Sequence, residues 1–208
     1  MSGCYNTPDI KNNVQPAFKV IGPNSSNQTW IYLCGLLNEF TPEYMDELRV
    51  LDVISKQLNI KFLVMIPTKR CLQLNNKLCW PHDTQEELLQ VYKEVYDATK
   101  NYCIKGYIGF SNGGFFLNKL VQFIKIDKPI ISIGSAGCLF NKEGPLNTIY
   151  LLIGKRDQWH YEHATNFYNQ SKDTNLTIYL TEYDEGHQIP EHILADLITN
   201  LSSKSMAV

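Results

Sequence analysis

Apolar residues along the chain gather into two kinds of segment that alternate from the N-terminal third to the C-terminus. Short apolar runs of strand length occupy residues 30–34, 61–66, 104–110, 129–134, 149–154 and 176–183. Longer segments with apolar residues at helical spacing occupy residues 42–58, 84–100, 112–124, 162–170 and 193–201. Strands that alternate with helices in this way predict an α/β fold, with a mostly parallel central sheet flanked by helices.

Capping residues mark the starts of two of these helices. Thr41 precedes Pro42, and threonine followed by proline is typical of an N-cap and a first helical position. Asp83 or Thr84 is suited to cap the second helix. In parallel sheets, sites form beyond the carboxyl ends of the strands. We therefore expect the functional side chains in the segments just after the strands.

The sequence Gly109-Phe110-Ser111-Asn112-Gly113 joins a predicted strand to a predicted helix. Gly-x-Ser-x-Gly in this context is typical of a nucleophile elbow, in which the glycines leave room for a strained serine backbone. The same residues could form an ordinary glycine-rich turn with Ser111 as a helix cap. The chemistry at other strand ends favours the elbow, with Ser111 as nucleophile.

Two other strand ends carry the partners that a serine nucleophile needs. Asp157 follows the strand at 149–154, and His187 follows the strand at 176–183. His187 would act as the base, and Asp157 would orient its imidazole. Asp184 is an alternative acid, but it lies three residues from His187 and is too near to approach the ring from the opposite side. Gly186 is expected to leave space for a tight loop before the histidine.

Other polar residues offer weaker alternatives. Ser135 also follows a strand, but without the elbow spacing, and we interpret it as a turn residue. His160 and His163 lie three residues apart on a predicted helix, where they could be solvated or could mimic a metal pair. No carboxylate stands at metal-ligand spacing from them, so no metal site is predicted.

An acyl-transfer site also needs two backbone N–H groups directed at the developing oxyanion. Asn112, directly after the nucleophile, is expected to supply one. Leu36 is expected to supply the other, because Gly35 allows the backbone to turn its amide inward. The alternative is an ordinary glycine turn.

Four segments together resemble the α/β-hydrolase superfamily, and within it the group of small carboxylesterases, phospholipases and acyl-thioesterases. They are Gly-Phe-Ser-Asn-Gly-Gly at 109–114, Gly-Lys-Arg-Asp at 154–157, Gly-His-Gln-Ile at 186–189 and Leu-Cys-Gly-Leu at 33–36. The order Ser, Asp, His is also that of the superfamily. Cys34 stands where the family has histidine, and Gln158-Trp159 replaces the common Val-Pro. The resemblance implies hydrolysis of esters or thioesters through an acyl-enzyme, without a metal or an organic cofactor.

Connection lengths bear on the substrate pocket. The short connection at 135–148 leaves no room for a large cap domain. The longer loop at 67–83 contains Cys71, Leu72, Leu74, Leu78, Cys79 and Trp80, and either lines an acyl pocket or folds back into the core. We assign Gly35, Trp80 and Trp159 to the substrate pocket.

Length, charge and cysteine content limit the number of domains, the partners and the location that the sequence predicts. The 208 residues fit one domain, 1–208, with residues 1–28 as a partly irregular N-terminal segment. A net charge of −2 gives no reason to expect nucleic acid as a partner. Without a signal peptide or a membrane-spanning apolar run, we predict a cytoplasmic protein with reduced cysteines. Cys71 and Cys79 flank one loop and could pair in an oxidising space.

The leading hypothesis is a serine esterase or thioesterase acting on small-molecule substrates with short to medium acyl chains. A serine peptidase or an acyltransferase could use the same triad, because the fold does not fix the acyl acceptor. A non-catalytic binding protein is the alternative of another class. The sequence leaves the oligomeric state open.

Overall fold

A computed structural model describes residues 18–37, 41–67, 69–71 and 76–204. The strands are β1 Phe18–Ile21, β2 Thr29–Leu33, β3 Lys61–Met65, β4 Lys69–Cys71, β5 Lys77–Cys79, β6 Ile104–Phe110, β7 Ile130–Ile133, β8 Asn147–Gly154 and β9 Leu176–Tyr183. The helices are α1 Pro42–Leu58, α2 Gln85–Thr99, α3 Asn112–Leu120, α4 Gln158–Ser171 and α5 Glu191–Lys204.

Seven strands form the central sheet in the order β1-β3-β2-β6-β7-β8-β9. All neighbouring pairs from β3 to β9 are parallel, and only β1 is antiparallel, at the edge beside β3. The predicted α/β architecture, a mostly parallel sheet flanked by helices, is confirmed. Every residue of β2 and β3 is buried, which explains why these strands are visible as continuous apolar runs.

Strand β1 was not predicted, although it lies within the N-terminal segment 1–28. Of its four residues only Ile21 is buried. An edge strand with one buried side chain has no apolar alternation to reveal it.

The predicted helix starts are confirmed where a threonine caps. The Thr41 hydroxyl accepts a hydrogen bond from the Tyr44 N–H at 3.4 Å, and the Thr84 hydroxyl accepts one from the Glu87 N–H at 3.1 Å. Helix α4 begins at Gln158 and contains the predicted helical segment at 162–170. The residues of its first turn are exposed or only partly buried, and the fully buried apolar side chains, Ala164 and Phe167, come further along.

The predicted long loop at 67–83 contains the antiparallel pair β4 and β5, here called the hairpin. Its strands are short and rich in lysine and arginine, so they carry no strand pattern. A disulfide joins Cys71 to Cys79. The expectation of reduced cysteines is wrong for this pair, and a disulfide counts against a reducing cytosol. Leu72 and Leu74 of the predicted apolar wall lie outside the described residues.

The connection between β7 and β8 contains no helix or strand, as expected for a fold without a large cap domain. Within the described ranges, no helix combines the length and the apolar character that a membrane crossing requires.

Candidate active site

The turn between β6 and α3, here called the elbow (residues 109–113), holds Ser111 in a strained conformation. Its φ of 50° and ψ of −113° lie where non-glycine residues are rare. The Ser111 N–H donates to the carbonyl of Ile133 at 2.9 Å. A Cβ on Gly109 would stand 2.5 Å from the Gly113 carbonyl oxygen, and one on Gly113 would stand 2.7 Å from that of Cys34. Only glycine therefore fits on either side of the serine.

The structure separates Ser111 from the alternative serine. Ser111 is half-buried at the sheet edge. Ser135 is fully buried, with its hydroxyl 2.5 Å from that of Ser132 and accepting a hydrogen bond from the Asn118 amide at 3.0 Å. A substrate cannot reach Ser135 without disrupting this packing.

The predicted acid and base meet at the same edge. Asp157 ends the turn after β8 and precedes α4, and its Oδ2 lies 2.5 Å from Nδ1 of His187, which follows β9. Asp184 is exposed and forms an ion pair with Arg156 at 3.4 Å instead. The structure therefore brings Asp157, and not Asp184, to the imidazole.

The His187 ring is held by neighbours from two strands. Its centroid lies 4.9 Å from that of Phe110 at the end of β6. Gly134, at the end of β7, has a φ of +54°, and a Cβ there would lie 3.3 Å from His187 Nδ1. Gly186 was expected to leave space for a tight loop before His187, but a Cβ on Gly186 would meet nothing within 4 Å, so that space does not depend on a glycine.

A second imidazole, which the sequence did not assign to the site, shares the same carboxylate. His160 Nδ1 lies 2.9 Å from Asp157 Oδ1, and the His160 ring stacks on His187 with centroids 4.3 Å apart and planes at 20°. The available signal was its position three residues after Asp157, which puts both side chains on one helix face. We call Asp157, His160 and His187 the acid–base arm.

His160 and His163, which the sequence left as either solvated residues or a mimic of a metal pair, have different partners. The His163 Nδ1–H donates to the Trp159 carbonyl at 2.8 Å, and its ring stacks on the Trp159 indole with centroids 4.2 Å apart. His163 therefore belongs to the surface of α4 and not to the acid–base arm.

Among the described residues, the acid–base arm is the one group whose donor atoms lie near enough for a metal ion, within 4.8 Å of one another. Tetrahedral zinc requires lone pairs that converge on the ion. Here the two rings are stacked nearly parallel, so their lone pairs run side by side. The geometry fits a carboxylate shared by two imidazoles better than a metal centre.

The electrostatics of the arm follow from these contacts. Burial lowers the pKa of His187, and the neighbouring His160 lowers it further, against the opposite effect of Asp157. Burial acts to raise the pKa of Asp157, but the hydrogen bonds from His160 and His187 outweigh it, and the pKa lies below its usual value. The carboxylate is therefore ionised, and the His187 imidazole favours the neutral form.

The segment after β2, residues 34–37, is here called the oxyanion loop. Gly35 lies against Ser111, since a Cβ on Gly35 would stand 3.3 Å from Ser111 Cβ. Within the described part of the chain, neither the Leu36 N–H nor the Asn112 N–H donates a hydrogen bond. The two predicted oxyanion donors thus have no partner among the described residues. Cys34 is buried, and its thiol contacts the Met65 carbonyl at 3.4 Å.

The hairpin supports the oxyanion loop from outside. Leu37 and Leu78 exchange backbone hydrogen bonds of 3.0 and 2.8 Å. The Trp80 indole N–H donates to the Cys34 carbonyl at 2.9 Å, and its backbone N–H donates to the Asn112 side-chain oxygen at 2.7 Å. Trp80 therefore ties the oxyanion loop to the first residue of α3.

Two cavities open beside the predicted triad. The Ser111 cavity has a volume of about 270 Å³. Its walls include Leu36, Asn112, Phe115, Ala136, Trp159 and His160. The assignment of Trp80 to the substrate pocket is wrong, because its side chain is 1% exposed and lies behind the loop. Gly35 lies next to Ser111 but does not line this cavity, whereas Trp159 does and is 58% exposed.

The His187 cavity, of about 490 Å³, lies on the other side of the arm and carries several carboxylates from α1, α5 and the loop before His187. No hydrogen bond joins the Ser111 hydroxyl to an imidazole among the described residues. Such contacts are often loose before a substrate binds.

Comparisons of structure found proteins that share the architecture. A carboxylesterase from Mesorhizobium loti superimposes with a TM-score of 0.69 at 11% identity, over 90% of this chain and 96% of that one. The Bacillus cereus carboxylesterase gives 0.65 at 14% identity, over 92% and 95%. Acyl-protein thioesterase 2 from Zea mays gives 0.62 at 14% identity, over 89% and 98%.

No protein-family model and no curated protein sequence matches the chain. The likeness therefore lies in the fold, and the three superimposed enzymes cover most of both chains. Together with the strand order and the elbow between β6 and α3, it shows that this chain has the α/β-hydrolase fold.

Proposed function

We propose that the chain is a serine hydrolase that cleaves carboxylic esters or thioesters of short to medium acyl chains. The observation that carries the proposal is the strained, glycine-flanked Ser111 at the sheet edge where Asp157 and His187 pair. Strain of this kind persists only where surrounding structure enforces it, and it is typical of a nucleophile held ready for attack.

The chemistry follows from the hydrogen bonds of the arm. An ionised carboxylate can only accept, so the proton of neutral His187 is on Nδ1, facing Asp157. The Nε2 lone pair is then free to take the proton of Ser111 as its oxygen attacks the acyl carbon. The imidazolium returns that proton to the leaving alcohol or thiol, and an acyl-enzyme remains.

Charge that develops on the acyl oxygen needs donors that are not already engaged. The Leu36 and Asn112 N–H groups meet this requirement, because neither is paired within the described part of the chain. Loss of one such donor typically costs about 3 kcal/mol of barrier. Water would then attack the acyl-enzyme by the same steps in reverse.

The Ser111 cavity supports the proposed preference for short to medium acyl chains. Leu36, Phe115, Ala136 and Trp159 give it apolar walls, and Trp159 is largely exposed. Each buried methylene contributes roughly 0.8 kcal/mol. A small open cavity can bury only the first few, so the preference should rise over a few carbons and then level off.

The structural neighbours include named carboxylesterases and an acyl-protein thioesterase, which agree with an ester or thioester substrate. Peptidase and acyltransferase activity would use the same residues, and a binding protein would need none of them.

A fluorophosphonate probe tests the proposal directly. We expect covalent labelling that is lost in Ser111→Ala and retained in the matched control Ser135→Ala, and hydrolysis of p-nitrophenyl esters or acyl-thioesters that is lost with it. Peptide mapping that finds the wild type unlabelled, or the adduct on another serine, would overturn the assignment. Cleavage of aminoacyl amides alone would favour a peptidase.

A further inference from the structure

We propose that His160 is a positioning residue for the base, His187. The Asp157 carboxylate would then orient two imidazoles, those of His160 and His187, instead of one. The inference rests on the proposed function, because it assigns a role within the same site. It starts from a contact pattern that neither the motif spacing nor the simple triad accounts for.

Each oxygen of Asp157 has its own imidazole. Oδ2 lies 2.5 Å from His187 Nδ1, and Oδ1 lies 2.9 Å from His160 Nδ1. The carboxylate is 11% exposed, so these two donors are its main partners. His160 thereby fixes the rotation of the Asp157 side chain, and with it the direction in which Oδ2 faces His187.

The ring of His160 also contacts the base directly. It stacks on His187 with centroids 4.3 Å apart, while Phe110 packs on the same ring at 4.9 Å. A ring held by two such neighbours and one hydrogen bond has little freedom to rotate. Its Nε2 therefore keeps one direction, which a base needs for proton transfer.

Two stacked imidazoles cannot both carry a proton easily, because like charges repel at this distance. A proton on His160 therefore disfavours one on His187, in line with the lowered pKa of His187. His187 would stay in its basic form to lower pH than a single buried histidine beside an aspartate.

Other charged groups also face the pair. The cavity beside His187 carries Glu43, Asp46 and Glu47 from α1, Glu185 from the preceding loop and Glu191 from α5. Arg49 and His192 line it too, and His82 lines the Ser111 cavity with His160. All of these remain in variants at position 160, so a difference between variants isolates His160.

Two substitutions separate the contributions of His160. His160→Asn retains an N–H donor near the Nδ1 position for Asp157 but removes the titratable ring. His160→Phe retains a stacked ring but removes the donor. His163→Asn and His163→Phe are matched controls, since His163 lies on the same helix but stacks on Trp159 and makes no contact with Asp157.

The experiment is a titration of the His187 ring protons by NMR in the full chain, with kcat and KM measured over the same pH range. In both His160 variants the His187 midpoint should move up by about half to one pH unit, because the repulsion from a second imidazolium is lost. In His160→Phe, kcat should also fall by about tenfold with KM nearly unchanged, whereas His160→Asn should stay within about threefold of wild type.

Three outcomes would overturn the inference. One is a His187 midpoint in both His160 variants equal to that of the wild type and the His163 controls. Another is loss of fluorophosphonate labelling in His160→Asn as complete as in His187→Asn, which would make His160 the base itself. The third is a His187 midpoint that moves in the His160 variants although the wild type hydrolyses no ester or thioester. The electrostatic coupling between the two rings would then exist, but the proposed function would be wrong and His187 would have no reaction to serve as base.

Discussion

The elbow and the acid–base arm reach the same edge of the sheet by different physical means. Ser111 is fixed by backbone atoms in close contact, where Gly109 and Gly113 leave no volume for a Cβ. Asp157, His160 and His187 are partly exposed and are held by two hydrogen bonds and a ring stack. A side chain positioned by steric contacts can be recognised in the local sequence, because the contacts require glycines beside it. A side chain positioned by hydrogen bonds depends on residues that are distant along the chain.

The largest effect is expected in the arm. Asp157→Asn leaves both imidazoles without an anionic partner and can no longer select the Nδ1–H tautomer of His187. We expect kcat to fall by about 10³- to 10⁴-fold, with little loss of folding. Steady-state kinetics on the best ester should be compared with Asp184→Asn, which removes only an exposed ion pair with Arg156 and should stay within about twofold. If Asp184→Asn is the damaging change, the acid is misassigned.

In the elbow, by contrast, substitution of a glycine should reduce the stability of the folded protein. A Cβ on Gly113 would overlap the Leu33 carbonyl oxygen and stand 2.7 Å from that of Cys34, and neither backbone atom can move freely. We expect Gly113→Ala to lower the free energy of unfolding by about 3 kcal/mol in urea titrations. Gly186→Ala, in the loop directly before His187 of the acid–base arm, meets open space and should change the free energy of unfolding by less than about 0.5 kcal/mol. Equal losses would contradict the contrast between the two regions.

Glu47 is a buried polar residue beneath the part of the site that is fixed by steric contacts, next to Gly35. It is buried under Gly35 and accepts a hydrogen bond of 2.6 Å from the Tyr32 hydroxyl. Burial raises its pKa from the ordinary 4.5 to about 7, although the hydrogen bonds from Tyr32 and the Gly35 N–H act to lower it. The folded state therefore keeps a proton that the unfolded chain loses, and stability should fall as pH rises from about 4.5 to about 7.

Glu47→Gln should remove this decline. The variant should match the wild type near about pH 4 and exceed its free energy of unfolding by on the order of 3 kcal/mol above about pH 8. Glu43→Gln, at an exposed position of the same helix, is the control and should retain the wild-type pH dependence. A wild type whose stability is flat between these pH values would refute the buried, protonated Glu47.

The smallest effect concerns Trp159, on the exposed wall between the two regions. Trp159→Ala removes part of the Ser111 cavity wall without touching the elbow. We expect the preferred acyl chain length to change and kcat/KM for the best substrate to fall a few-fold, roughly 1 kcal/mol, while fluorophosphonate labelling of Ser111 is unchanged. An unaltered profile over p-nitrophenyl esters of increasing length would remove Trp159 from the pocket.

The same contrast explains what could be predicted from the sequence. Buried strands such as β2 and β3 have nearly continuous apolar runs and were predicted close to their observed bounds, and the elbow was recognised by its glycines. Strand β1 and the hairpin have few buried residues and no such pattern. The contacts of His160 were missed because they depend on where a loop from another strand places His187. Trp80 was misassigned because hydrophobicity alone cannot distinguish a cavity wall from the packing behind it.

The attachment of the hairpin to the oxyanion loop has a consequence for how related sequences should diverge. The bridge between Leu37 and Leu78 runs through main-chain atoms, so it tolerates exchange of either side chain. Cys71 and Cys79 are useful only together, and we expect lineages to gain or lose them as a pair. Trp80 holds both Cys34 and Asn112 through its own N–H groups, and should therefore persist in relatives that have no disulfide at all.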